Sequence, residues 1–247
     1  CICATINRMG KPETFGVMTS GASTAALLLL LPELEQLTGR PVVLLSRSVG
    51  AGETYIPNLL KRGEVADIVI VADDLLRQCI VDGLVVEGSR VPLVQSLIGM
   101  AVRAGASKPD IASVEAFKRT LLDAASIAYS ASVSGQYLAQ DLWPRLGIAG
   151  AVLPKARCIA HERIGAVVAR GEAEIGFEQV SELLPELGIA HVTALPPAVQ
   201  KMTLFSGGVA TSSADPDAAS AVLQFLASPQ AYAAIIASGL QSASLQA

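Results

Sequence analysis

The sequence predicts an α/β protein of two lobes, each a mostly parallel sheet flanked by helices, joined by two crossing strands. Three observations predict it. Short, largely apolar runs at 41–46 (PVVLLS), 66–71 (ADIVIV) and 173–177 (AEIGF) alternate with helical segments, as parallel strands covered on both faces do. A unit of strand, Ser/Gly turn and helix start occurs twice, at Phe15 onward through Ser20-Gly21-Ala22-Ser23 and at Ile127 onward through Ser130 to Gly135. Two long extended stretches, 91–103 and 202–210, suit one passage out of the first half of the chain and one back. The expected units are lobe 1 at 13–95 plus 206–240, lobe 2 at 96–205, and an irregular leader at 1–12.

Composition narrows the class. With 247 residues, 51% hydrophobic and 16% charged, the chain can bury a full core in one large domain or two lobes. A net charge of −4, with no basic tract or aromatic-basic interleaving, argues against nucleic-acid binding. The aliphatic run 27–31 stops at Pro32-Glu33, far short of the roughly 20 residues a membrane span needs, and predicts a buried helix. Four cysteines and two histidines, His161 and His191, have no metal-site spacing, so no metal is expected. Cys79 and Cys158 have apolar neighbours and read as buried thiols.

Each element has a local reason. The first helix is expected at 23–37, bent by Pro32 and stopped by Thr38-Gly39-Arg40-Pro41. Ser20 or Ser23 is placed to cap it. The free N–H groups and dipole of its first turn make a natural seat for an anion. After the strand 41–46 comes a second polar glycine-rich loop, 47–54, then a helix at 55–62 and the strand 66–71. Asp73-Asp74 opens a helix to about Val81, with acids in the first turn suiting the dipole. In the second half the spacing predicts helices at 113–122, 136–146 and 162–170 and strands at 127–129, 157–160, 173–177 and 190–194. Asp215-Pro216 and Ser228-Pro229 start the last two helices, the second closed by Gly239. Trp143 and Phe177 read as core.

The order of these elements resembles the type II periplasmic solute-binding proteins, in the branch of the molybdate-binding component of ABC transporters, which also contains aconitate isomerase. The residues that carry the resemblance are Ser20-Gly21-Ala22-Ser23, the Arg-Gly-Glu that precedes a strand in Arg62-Gly63-Glu64-Val65-Ala66 and again in Arg170-Gly171-Glu172-Ala173, and the closing 228–240 (SPQAYAAIIASGL). The segments 56–64 (IPNLLKRGE), 108–111 (KPDI) and 126–135 (SIAYSASVSG) look closer to the isomerase subgroup.

The resemblance implies a small anion, an organic carboxylate or an oxyanion, held between the lobes by helix N-termini and hydroxyls. It assigns ligand contacts to Ser20, Gly21 and Ser23 in the first turn and to Ser130, Ser132, Ser134, Gly135 and Tyr137 in the lobe 2 turn. Read from the residues rather than from the resemblance, Arg47, Ser48, Gly50 and Thr54 in the second polar loop and Gln179 after a strand are further candidate ligand contacts. The resemblance implies no cofactor, a monomer, and an ABC permease as the partner of a transport protein. The expected place is the periplasm or outer cell surface for a mature form, or the cytoplasm if Cys1 is the natural start.

The sequence departs from the molybdate binders at Gly52-Glu53-Thr54 and at Glu178-Gln179, where they carry a serine cluster and a tyrosine. An ionised carboxylate about 4 Å from a bound anion costs roughly 4 kcal/mol at an effective dielectric near 20. That favours an organic acid, which Arg47 or Arg163 could grip bidentately. For an isomerase, Glu178, Glu53 and Tyr137 are candidates for the proton work, and Glu178, at a strand's carboxyl end, is the expected catalytic residue.

Overall fold

The computed structural model describes residues 13–48 and 55–246. β1 (Phe15–Ser20) passes directly into α1 (Gly21–Leu29), and α2 (Leu31–Thr38) follows after a break at Leu30. Pro32 has no N–H to offer the carbonyl of Leu28, so the helix restarts rather than continues. Gly39, at φ 67°, ends α2 in the left-handed conformation that glycine adopts freely. Next come β2 (Val42–Ser48), α3 (Ile56–Lys61), β3 (Ile68–Ala72), α4 (Asp73–Val81), β4 (Val91–Ser96) and β5 (Ile98–Arg103).

The second half holds α5 (Val114–Asp123), β6 (Ile127–Ser130) and α6 (Val133–Gln136), which continues through a π-helical stretch (Tyr137–Leu142) into α7 (Trp143–Arg145). Then follow α8 (Ala149–Val152), β7 (Ala156–Ile159), α9 (Ile164–Ala169), β8 (Ile175–Gln179), α10 (Val180–Leu183) and β9 (Ile189–Ala194). The chain closes with β10 (Thr203–Val209), α11 (Pro216–Leu226), α12 (Tyr232–Ala237) and β11 (Gln241–Ser242).

Two sheets result, one of six strands in the order β11-β4-β10-β3-β1-β2 and one of five in the order β7-β6-β8-β5-β9. Each is mixed. Parallel pairing holds for β2-β1-β3 and for β7-β6-β8, and pairing is antiparallel wherever a crossing strand takes part. The reason is directional: β1, β3, β4, β6, β8 and β9 end at the junction between lobes, whereas β5 and β10 start there, so every pair that includes β5 or β10 is antiparallel.

The crossings are tightly tied. β4 becomes β5 after the single residue Leu97, whose carbonyl accepts from the Val180 N–H at 2.9 Å. The return from β9 to β10 passes Gln200, whose carboxamide pairs with the Ile98 backbone in both directions. The Ile98 N–H donates to Oε1 at 3.0 Å, and Nε2 donates to the Ile98 carbonyl at 2.9 Å.

Strand alternation feeds separate cores. Phe15, Val17, Ile68 and Ile70 face α1 and α11, and Met18, Val69 and Val71 face the opposite way, onto Ile56, Leu76 and Cys79. In lobe 2 Trp143, Phe177 and Phe117 are fully buried, with Phe117 edge-on to Phe177 and Tyr129 edge-on to Trp143. A buried ion pair, Arg40 to Asp215 at 3.0 Å, ties the start of β2 to the N-cap of α11.

Several expectations are corrected. The lobe 2 helix starts at Val133, three residues earlier than its expected start at 136, and α8 follows it without a sequence signal. Cys158 is exposed, because β7 is an edge strand. Asp73 stands in the first turn of α4, as expected, but its carboxylate pairs with Arg77 at 2.9 Å and Arg90 at 2.6 Å and accepts from the Ser206 hydroxyl. Burial pushes the Asp73 carboxyl up, but those three hydrogen bonds outweigh it and hold it down at about 2.

Candidate functional site

Ser20 at the end of β1, Ala72 at the end of β3, Gln179 at the end of β8, and Ala131 to Val133 just past β6 all line one cavity of about 410 Å³ between the lobes. In open α/β sheets that is where ligands sit, because the strand ends present helix N-termini and turn backbone to the gap. Tyr55, Ile56, Leu75 and Phe205 add an apolar wall from lobe 1.

The two Ser/Gly turns meet across this cavity, but their side chains behave differently. In lobe 2 the hydroxyls of Ser130, Ser132 and Ser134 form a closed triangle, at 2.5 Å between Ser130 and Ser132, 3.0 Å between Ser132 and Ser134, and 3.4 Å between Ser130 and Ser134. Only Ser132 reaches the cavity, since Ser130 and Ser134 are buried behind it. Gly135 is required by close approach: a Cβ there would fall on the Ser130 carbonyl oxygen and 2.8 Å from its carbon.

In lobe 1, Ser20 and Gly21 line the cavity. Ser20 stands at the N-cap of α1, yet its hydroxyl makes no capping bond. Ser23 turns away into the core, beside Ala26, Leu27 and Ile70, so the structure does not bring it to the cleft. Tyr137 is also elsewhere, its hydroxyl donating to the Val199 carbonyl at 2.9 Å and accepting from Arg145 at 3.0 Å. Arg47 and Ser48 are described as backbone only, paired with Thr19 and Ser20 beside the cleft. Gly50, Gly52, Glu53 and Thr54 lie outside the described residues.

The strongest chemistry comes from β8 and the helix after it. Alternation along β8 turns Phe177 into the lobe 2 core and Glu178 the other way, onto the N-terminus of α9, where its Oε2 accepts from the Ile164 N–H at 3.2 Å. Glu178 is 1% exposed and hydrogen-bonds to Glu182 of α10. Glu182, which the sequence reading passed over, is the member of the pair that lines the cavity.

Burial pushes both carboxyls up. Glu178 is raised well above its ordinary value of 4.5, by desolvation first and then by the Glu182 charge, with Arg163 and the Ile164 N–H pulling it back. Glu182 is raised by desolvation, against the Glu178 hydrogen bond and the Arg163 charge. Two acids in one buried site cannot both ionise cheaply, so burial favours a proton retained by the pair as a whole. Arg163, at the N-cap of α9, stands 3.9 Å from the Glu182 carboxylate.

Some of the buried polar atoms without a hydrogen-bond partner among the described residues lie at this cavity, while others, on Gln95, Ser96 and Trp143, lie away from it. Ser20 Oγ, Ser23 Oγ, Gln179 Oε1, Ser181 Oγ and Arg163 Nη1 are buried and without a hydrogen-bond partner among the described residues. Apart from Ser23 they lie on the cavity wall or next to residues that form it. A buried polar atom left unmatched costs about 1–3 kcal/mol, so Ser20 Oγ and Gln179 Oε1 on the cavity wall are places that a polar ligand or water completes. No group of three or more metal-ligating side chains occurs among the described residues. No single helix there is long and apolar enough to cross a membrane.

A model of the family described as bacterial extracellular solute-binding protein matches residues 15–241. The chain belongs to that family. Among the relatives of this solute-binding protein is an aconitate isomerase from Pseudomonas sp., 45% identical over 229 residues, which are 92% of this chain and 87% of the relative. Its fold is that of the type II, molybdate-binding-like branch. The periplasmic molybdate-binding protein of Azotobacter vinelandii superposes with a TM-score of 0.72 at 19% identity, over 92% of this chain and 98% of the other. The tungstate ABC transporter protein of Geobacter sulfurreducens does so with a TM-score of 0.69 at 16% identity, over 92% and 100%.

The sequence signal that could have found Glu182 is its neighbourhood. In Val180-Ser181-Glu182-Leu183 an acid stands on a short apolar helix immediately after a strand end that already carries Glu178.

Proposed function

We propose that this protein interconverts cis- and trans-aconitate by an allylic proton shift in the interlobe cleft. The observation that carries the reading is the carboxyl pair Glu178–Glu182 in the cleft wall, in a chain 45% identical to an aconitate isomerase. A protein that only grips an anion gains nothing from an acid facing it. An enzyme that moves a proton needs one.

The reaction conserves formula. A base takes a proton from the methylene carbon, the released pair spreads over three carbons as the double bond shifts, and the same proton is delivered to the far terminal carbon. Glu182, on the cavity surface, is the proton carrier, and its raised pKa makes its carboxylate a stronger base. Glu178, behind it, holds Glu182 in place. Negative charge that builds on a substrate carboxylate during the shift is met by the N-termini of α1 and α6, with Ser20, Ser132 and Gln179 orienting the carboxylates. Arg163 supplies positive charge next to Glu182. No cofactor is required.

The test is direct. Purified protein is incubated with each isomer and the ultraviolet absorbance of aconitate is followed. The expected result is approach to one mixture from both sides, and no change from either side rejects the reading.

The family membership favours a second reading, the solute-binding component of an ABC transporter working as a monomer outside the cytoplasm, with units 13–95 plus 206–240 and 96–205 closing on an anion. It predicts thermal stabilisation by tricarboxylate, molybdate or tungstate without chemical change, about 2.7 kcal/mol at 100 times the dissociation constant.

A further inference from the structure

Gly21 is the first residue of α1, and its φ is not positive, so the backbone does not call for glycine there. In a helix glycine is a worse choice than alanine. What calls for it is across the cleft: a Cβ on Gly21 would collide with Oε1 of Glu182, 2.9 Å from its Cδ and 3.5 Å from Nη1 of Arg163. The side chain missing from lobe 1 is the space into which lobe 2 puts its acid. The seat that the first turn of α1 offers to an anion is therefore shared with a carboxyl from the protein itself.

We propose that Gly21 is a positioning residue of the isomerase, its absent side chain seating the Glu182 carboxyl against the N-terminus of α1 at the cavity wall, an inference that rests on the isomerase reading above. Two observations beyond the helix start carry it. Glu182 and Gly21 both line the cavity, and the Gln179 Oε1 on the same wall is buried, at 3% exposure of the residue, with no partner among the described residues. The obstacle to a side chain at 21 is the free end of one flexible glutamate together with the Arg163 tip, with no backbone in the way. Gly21→Ala then displaces the carboxyl and leaves α1 and the sheets intact.

The experiment measures isomerisation kinetics and thermal melting for the full chain, Gly21→Ala, Glu182→Asp and the double variant. Gly21→Ala is expected to keep a cooperative melting transition, to lose roughly tenfold or more in kcat, and to keep KM within about threefold. Glu182→Asp withdraws the carboxyl by one methylene, so it acts on the same seat. The double variant is expected to be about as slow as the slower single variant.

Gly21→Ala with wild-type kcat, a loss carried by KM alone, or losses that multiply in the double variant each overturn the inference while leaving the isomerase reading standing. Loss of the melting transition in Gly21→Ala overturns it too, since only side-chain ends were argued to be in the way. A wild-type chain inactive on both isomers overturns the isomerase reading, and this inference with it.

Discussion

The turn after β1 and the turn after β6 have the same outline of strand end, serines and glycine, helix start, yet the fold uses them in opposite ways. The lobe 2 turn is closed on itself, with three hydroxyls satisfying one another and Gly135 pressed on the Ser130 backbone. The lobe 1 turn is open: the Ser20 hydroxyl on the cavity wall has no partner among the described residues, and Gly21 makes room for an acid from the other lobe. One turn is a finished piece of structure that presents Ser132, and the other is completed only by what enters the cleft. Similar sequence motifs thus carry different energetics, because buried polar groups are decided by their neighbours rather than by their type.

The largest expected effect tests the open side. Glu182→Gln removes the proton carrier while keeping its shape, and is expected to lower kcat by about 10²–10⁴, the usual range for general acid–base catalysis. The variant should still be stabilised against heat by aconitate, and a Glu182→Gln protein with wild-type kcat would move the chemistry elsewhere. Next comes the closed side. Gly135→Ala forces a methyl onto backbone and is expected to cost about 3 kcal/mol of stability, as overpacking does, read as a drop in denaturant midpoint. Set beside Gly21→Ala it separates the turns cleanly: one glycine serves the fold and the other the site.

A smaller effect is expected at Ser132, the one hydroxyl of the triangle that reaches the cavity. Ser132→Ala removes a ligand contact and unbalances the hydroxyls behind it, for a loss of about 1 kcal/mol, or roughly fivefold in aconitate affinity by calorimetry. Equal losses for Ser130→Ala and Ser134→Ala would mean that the triangle acts as a unit and that cavity lining does not distinguish its members.

Much of this fold was legible because it rests on short-range rules. Apolar runs marked β2, β3 and β8, glycines marked helix ends at Gly39 and Gly239, and Ser113 and Asp215 accept capping bonds where the sequence placed helix starts. The mixed pairing was not legible, since it depends on which way the crossing strands run through each sheet. The site was half legible. Ser20, Gly21, Ser132 and Gln179 reach the cavity, while Ser23, Ser130, Ser134 and Tyr137 belong to the core or the hydroxyl triangle behind it. A serine's type is plain in sequence, but the direction its hydroxyl takes is set by strand alternation and helix phase. Glu182 was missed for the converse reason, since only tertiary packing brings an unremarked helix acid against Gly21 and Glu178.

The smallest expected effect is a change of slope, and it tests whether the dyad keeps its proton. Glu178 in the folded chain is raised well above its ordinary value of 4.5 by burial and then by the Glu182 charge. Between those two values the native state holds a proton that the unfolded chain has lost. Stability conferred by the neutral carboxyl is therefore fully present below 4.5 and declines as pH rises toward the folded value. Glu178→Gln is neutral in both states and removes that contribution to the slope. Melting temperatures of wild type and Glu178→Gln, measured from pH 5 upward, should show the wild type falling relative to the variant. Asp73 gives the opposite sign in the same molecule: held at about 2, it contributes stability present above its ordinary 3.8 and lost as pH falls toward 2, outside that window. Parallel curves above pH 5 would show that Glu178 is already ionised, leaving the lobe 2 side of the cleft with two charges that Arg163 would have to balance, and removing the proton-holding role from the proposed mechanism.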